Sequence, residues 1–464
     1  MQMVNEAIRA LAADDGSSIA KYYGQKPNLL GSIRTVLDQF LDSRMDEVRL
    51  RRAGDLAEAT LPLFDVSDAS AFRSVVLQRE VYRKISYPKQ RDHSAHTVNN
   101  WLVGWLMFEK VPLLTSKISQ AIAKRGIDTR YPEYEIFGDL WMNASLLHDV
   151  GYAFEGAIEL SAFEENLDYI DFALGQLTEY FQYRFWIENG VERTHHVDAL
   201  RNWAGVQAPR FNDRASLLSV ALALRSLGDL SPLQDALTTQ LKASASLPPQ
   251  LAGDGFALWE TYFSEYSPSF VNSIKRVEKV FHKYLQEGLT GAGIRVLDHG
   301  VCGGLMLLQY STFFYRVATA LKSREQIAKA GGDVALKEAY SQFFTNLNYD
   351  PEYWWKVVVW STCATALHNI VQQEPVQLSI DDDPLTFLGV LVDSIQCWDR
   401  FSVNPGGVFA GDLPTQANDV RVDFTGNCAT FELTIPENTF KKIIKELDAS
   451  LKDWRSYANV KRRS

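Results

Sequence analysis

Cysteine is scarce in this chain: four in 464 residues, at Cys302, Cys363, Cys397 and Cys428, with no C-x-x-C pair. That spacing excludes a disulfide framework and offers no thiolate zinc knuckle. Reduced thiols in a chain of this size lead us to expect a cytoplasmic protein. Long apolar runs are missing too. The most apolar stretch, Trp101-Leu102-Val103-Gly104-Trp105-Leu106-Met107-Phe108, falls far short of the ~20 residues needed to span a bilayer. Met1 to Gly16 carries acidic residues and no long apolar segment, so it does not read as a secretory signal, and no membrane partner is expected. Basic charge is in deficit, with 47 Lys and Arg against 57 Asp and Glu and a net charge of −10. A broad non-specific grip on nucleic acid needs the opposite balance, which leaves room only for a local basic patch. Internal repeats and low-complexity segments are absent.

What remains is a soluble-type composition, 46% hydrophobic and 22% charged, long enough to bury a sizeable core. Helical periodicity dominates. Ile33, Val36, Leu37 and Phe40 recur at the 3.6-residue period within a first helical segment, 1–80. The same style continues over 70–87, and Pro88 ends that stretch before the next helix. From about Arg91 a helix carries Val98, Trp101, Leu102, Trp105 and Leu106 as a wide apolar stripe, the pattern of a central element. A helix over 136–149 follows a loop with Gly126 and Pro132. The stretch 158–290 reads as a helical insertion, with Ser244 to Gly255 as its loop. Helices are expected again at 256–288, 298–322 and 352–373, and after Asp381-Asp382-Asp383-Pro384. Trp354, Trp355 and Trp360 read as core residues.

The last part, 401–464, differs. A Gly- and Pro-rich loop over 403–419 precedes two alternating runs, Val420 to Phe424 and Thr430 to Ile435, around Gly426-Asn427. This is a β-hairpin signature. A helix over 437–455 and a frayed tail at Lys461-Arg462-Arg463 complete the expectation. The fold class is therefore mainly α, with a small C-terminal β-hairpin plus helix.

Chemistry concentrates in a few places. Leu146-Leu147-His148-Asp149-Val150-Gly151 delivers His148 beside Asp149 after an apolar run. His96 lies upstream within Asp92-His93-Ser94-Ala95-His96, and His299, His368 and Asp393 lie downstream. Imidazoles and carboxylates carried by separate helices are what a bundle needs to aim ligands at one interior point. Asp393, within the apolar run Leu388 to Val392, would be costly to bury without a partner. Asp298 reads as a helix cap rather than a ligand, and His195, His196 and His282 as surface residues.

The order His96, His148-Asp149, Asp393, with His96-Thr97-Val98 and Leu146 to Gly151 as local context, resembles the HD superfamily of metal-dependent phosphohydrolases over roughly 90–400. His299 and His368 resemble the extra ligands of its binuclear subgroups, which include cyclic-dinucleotide phosphodiesterases and CRISPR-associated nucleases. Tyr152 stands where many members carry Lys. The resemblance implies an HD-type helical bundle over 81–400 and one or two divalent ions held by His96, His148, Asp149, His299, His368 and Asp393. Without a thiolate the ion would be Mn, Fe, Co, Ni or Mg. The implied reaction is hydrolysis of a phosphate ester, of a nucleotide or related small molecule, by metal-activated water, with Asp149 central. Arg91, His93 and Arg400 are the candidates for holding phosphate. Two rival readings are a single-strand nuclease and a non-catalytic, metal-stabilised nucleotide sensor or scaffold. Metal-dependent turnover separates the sensor from both enzymes, and a strong salt dependence of binding separates the nuclease from the small-molecule hydrolase.

Overall fold

The computed structural model describes residues 1–25, 28–43, 46–60, 94–127, 131–149, 248–289, 298–301, 303–305, 307–308, 354–369, 377–398 and 420–463. Its organising element is the helix Ser94–Lys110 (α5), buried on every side from Ala95 to Met107. A helix that is apolar nearly all round belongs inside a bundle. Of four N-terminal helices, Val4–Ala13 (α1), Ser18–Gly24 (α2), Leu29–Asp42 (α3) and Asp46–Thr60 (α4), the first, second and fourth pack against it and α3 packs on those three. Tyr22 and Tyr23 of α2 set their rings 5.5 Å from Trp105 and 5.9 Å from Trp101.

The helices Pro112–Lys124 (α6) and Glu133–Leu146 (α7) follow in sequence. The contact between α7 and α5 is unusually close. A Cβ on Gly104 would lie 2.0 Å from the Trp141 indole, so only glycine admits that ring, whose Nε1 donates to the Trp101 carbonyl at 2.9 Å. Phe108 and Phe137 stack beside it at 3.9 Å. This approach brings the end of α7, and with it His148, towards the start of α5.

Two long helices, Pro248–Tyr266 (α8) and Pro268–Leu289 (α9), bury Phe256, Trp259, Tyr262, Phe270 and Ile274 in the same core. The expected loop over 244–255 is thus helical from Pro248, since proline is tolerated in a first helical turn. A π-helical turn, Trp354–Val358, leads into Val359–Leu367 (α10), and Asp383 caps Pro384–Ile395 (α11). Trp360 is fully buried and Trp355 packs against the core, as expected of core aromatics.

The C-terminal part is a four-stranded sheet, and the hairpin is as expected: Val420–Thr425 (β2) pairs antiparallel with Cys428–Thr434 (β3), Val420 opposite Leu433. Gly426 opens the turn at φ 65°, a conformation glycine adopts without a Cβ penalty. The helix Glu437–Ser450 (α12) ends five residues before the expected 455. The expected frayed tail is instead a strand, Ala458–Arg463 (β4), parallel to β3, with Ala458 and Val460 buried. A run of Lys and Arg conceals this, because only two of six positions face inward. Residues Gln2–Met3 (β1) add the other edge, antiparallel to β2, so the start of the chain closes the sheet formed near its end.

A buried ion pair ties four helices together. Arg125, at the end of α6, donates to Asp383 at 3.4 Å and to the Tyr262 hydroxyl of α8 at 2.7 Å, with its guanidinium 3.6 Å from the Trp360 ring centroid of α10. Asp383 also accepts from the Trp360 indole at 2.6 Å and from the Thr386 amide at 2.9 Å, as N-cap of α11. Burial pushes the Asp383 carboxyl upward, opposed chiefly by Arg125. Removing one partner of such a pair leaves a desolvated charge. Asp383→Ala is therefore expected to cost about 3–5 kcal/mol of unfolding free energy, read as a lower denaturant midpoint.

Candidate metal centre

Five segments converge at the inner ends of α5, α7, α10 and α11 and at the start of the helical residues near 299. Each ligand-type side chain is delivered by a local signal. The helix α7 stops at Leu146, three residues before the expected 149, and Leu147 leaves helical geometry. His148 and Asp149 therefore occupy a turn, and the ~100° divergence of adjacent helical side chains no longer separates them. His148 Nδ1 folds back to donate to the Ser145 carbonyl, one of the orphan acceptors of the helix end.

The same device recurs at the end of α10. There His368 Nδ1 donates to the Thr365 carbonyl at 2.6 Å. The two segments read alike, Ala144-Ser145-Leu146-Leu147-His148-Asp149 and Ala364-Thr365-Ala366-Leu367-His368-Asn369. His96, in the first turn of α5, points Nδ1 at Gln396 Oε1, while Gln396 Nε2 donates to the Trp398 carbonyl. That second bond fixes which end of the amide faces the histidine.

In all three histidines Nδ1 therefore carries the proton and Nε2 is the inward-facing atom. This is the arrangement that second-shell bonds impose on metal-binding imidazoles. The inward atoms surround Asp149. Its Oδ1 lies 3.1 Å from His148 Nε2, 3.6 Å from His299 Nε2 and 3.9 Å from His368 Nε2, and its Oδ2 lies 3.8 Å from His96 Nε2. Asp393 Oδ1 is 2.7 Å from His96 Nε2 and 3.9 Å from His148 Nε2. His299 Nε2 and His368 Nε2 are 3.2 Å apart. His148 Nε2 is buried and makes no hydrogen bond among the described residues.

Burial lowers the His148 pKa to about 4, and lowers that of His368 as well, with His299 adding to the effect. Both imidazoles are thus held neutral, with bare lone pairs facing carboxylate oxygens, an arrangement able to accept a cation. Two donors bound to one ion at ~2.0–2.2 Å sit about 3–3.5 Å apart, in the range observed. The buried groups His96, His148, Asp149 and Asp149, His299, His368 could each hold a metal ion.

All six expected ligand positions are thus brought together. Arg91, His93 and Arg400, the expected phosphate contacts, lie outside the described residues, as do His195 and His196. His282 is a half-buried partner of Glu278 at 3.6 Å, away from the cluster. Two polar residues at the site carry no signal in a search for ligand types. Asn100, one turn after His96, points Nδ2 at His96 Nε2 (3.2 Å) and Asp393 Oδ1 (3.4 Å). Gln396 orients His96 as described.

Among the described residues no helix is long and apolar enough to cross a membrane. No protein-family model, curated protein or solved structure matches the chain significantly.

The histidines make stability dependent on pH. A folded-state pKa below the unfolded one means that acid favours the unfolded chain. For His148 that loss begins as pH falls through about 6.5 and is complete near 4. Metal-stripped protein should lose stability across that window, and His148→Gln should flatten the dependence, as read from thermal unfolding in buffers containing a chelator.

Proposed function

We propose that this chain is a metal-dependent phosphohydrolase with an HD-type site, cleaving a phosphate ester of a nucleotide or related small molecule. The observation that carries the reading is the meeting of His96, His148, Asp149, His299, His368 and Asp393, spread over some three hundred positions, with their inward atoms 2.7–3.9 Å apart in the pairs given above. Four imidazoles with two carboxylates and no thiolate suit Mn, Fe, Co, Ni or Mg.

A divalent ion bound there would supply Lewis acidity, making water nucleophilic near neutral pH and offsetting charge on phosphoryl oxygens. The protein's part is geometric. Asp149 belongs to both candidate groups, so His96, His148 and Asp393 would hold an ion with it on one side, and His299 and His368 would hold a second with it on the other. Asp393 marks the open edge: its side chain is 28% exposed, against at most 5% for the other five. Substrate phosphate would approach there, past Asn100, while His299 and His368 hold the closed side away from solvent. The acidic net charge favours a small phosphate ester over a long nucleic acid.

The test is a turnover screen of the purified chain with Mn, Co, Ni and Mg in turn, against nucleotides, cyclic nucleotides and oligonucleotides. Metal-dependent release of phosphate or of a ring-opened product is expected. Asp149→Ala should lose bound metal and at least ~10³-fold in kcat/KM, about 4 kcal/mol of transition-state stabilisation. Full metal content with unchanged turnover in that variant would overturn the proposal.

A further inference from the structure

The equivalence of the two helix ends breaks at one position. Where the first carries Asp149, the hub of the cluster, the second carries Asn369. Asn369 is buried, and its Nδ2 donates to Asp298 Oδ2 at 2.8 Å. Asp298 is buried as well, and its other oxygen accepts the Val301 backbone amide at 2.9 Å, capping the helical residues that begin with His299. Each partner is thus adjacent in sequence to one histidine of the group Asp149, His299, His368. Gly300 completes the contact: a Cβ there would lie 2.9 Å from the His368 ring and 3.0 Å from Asp298, so the absence of a side chain lets the His299 segment close on His368.

We infer that Asp298 and Asn369 form a latch that positions His299 and His368 as one unit, and so sets the affinity of the closed-side cation position without touching the ion. The inference rests on the metal reading proposed above. Its physical basis is that the bond joins the residues next to the two histidines, at the point where both segments reach the cluster, while Gly304 packs on Ala366 and Thr362 farther from it. Neither segment alone fixes the 3.2 Å Nε2–Nε2 spacing that a shared ion requires. Both ends of the latch are satisfied, since Asp298 spends one oxygen on each task, so the pair adds order without an unmet buried group. Outer partners of this kind typically alter metal affinity by about 10–100-fold.

The latch can be reversed. Asn369→Asp sets two carboxylates against each other, while Asn369→Leu deletes the donor. Combining Asp298→Asn with Asn369→Asp restores a donor and an acceptor in swapped order, keeps an oxygen for the Val301 cap and leaves the net charge unchanged. Mn²⁺ titration by calorimetry on the full chain, with circular dichroism to confirm folding, is the measurement. Wild type is expected to bind two equivalents. Both single variants should weaken the second equivalent by about 10–100-fold while retaining the first, and the swapped pair should recover to within about threefold.

If proximity of charge alone mattered, Asn369→Asp would bind Mn²⁺ more tightly, and that result overturns the latch. So does unchanged binding in Asn369→Leu, a failure of the swap to restore binding in a folded protein, or a wild type that takes up one equivalent only. A wild type that binds no Mn²⁺ at all sinks the metal reading itself, which distinguishes the two failures.

Discussion

Everything at the centre of this molecule turns on one carboxylate. Asp149 is buried, and the Nε2 atoms of His96, His148, His299 and His368 all lie within 3.9 Å of its oxygens. An ionised carboxylate in such a place is costly unless positive charge is nearby. Two of the four imidazoles do not supply that charge, because burial holds His148 and His368 in their neutral forms. The arrangement is a set of buried ligand-type atoms that could hold a cation. The rest of the fold holds those atoms against their mutual repulsion.

That holding is distributed. The absence of a side chain at Gly104 allows Trp141 and hence α7 to close on α5, which carries His148 towards His96. The Arg125–Asp383 pair, with Trp360 and Tyr262, locks α10 and α11 against α6 and α8. Those two helices end in His368 and, near its C-terminus, Asp393. The N-terminal helices and the sheet stand further out. Yet the sheet's two edge strands are Gln2–Met3 and Ala458–Arg463, so both described extremes of the chain are paired into one sheet. A site made of five segments needs such a frame, since the repulsion among its donors favours separation.

The chain itself was readable to different depths. Helix α5 was legible because its apolar residues recur at every turn face. The hairpin was legible because Val420 to Ile435 alternates around Gly426-Asn427. Strand β4 was not, because Lys461, Arg462 and Arg463 read as solvated and parallel pairing with β3 leaves no local trace. The start of α8 was hidden behind Pro248 and Pro249, which serve equally in a loop or a first turn. At the site, the ligand-type residues stood out by their chemistry in apolar surroundings. Asn100, Gln396 and Asn369 did not, since buried amides acquire meaning only from the partners they meet.

From residue order alone came the mainly helical class, the hairpin, and the candidates His96, His148, Asp149, His299, His368 and Asp393. These follow from periodicity and side-chain chemistry, which are local properties. Tertiary structure decided that the six share one buried point. It also decided which ring nitrogen of His96, His148 and His368 faces inward, that Asp393 lies at the open edge, and that Asn369 reaches Asp298. Those outcomes depend on distances between segments up to 300 residues apart. Such distances are set by how helices pack, and no stretch of sequence encodes them by itself.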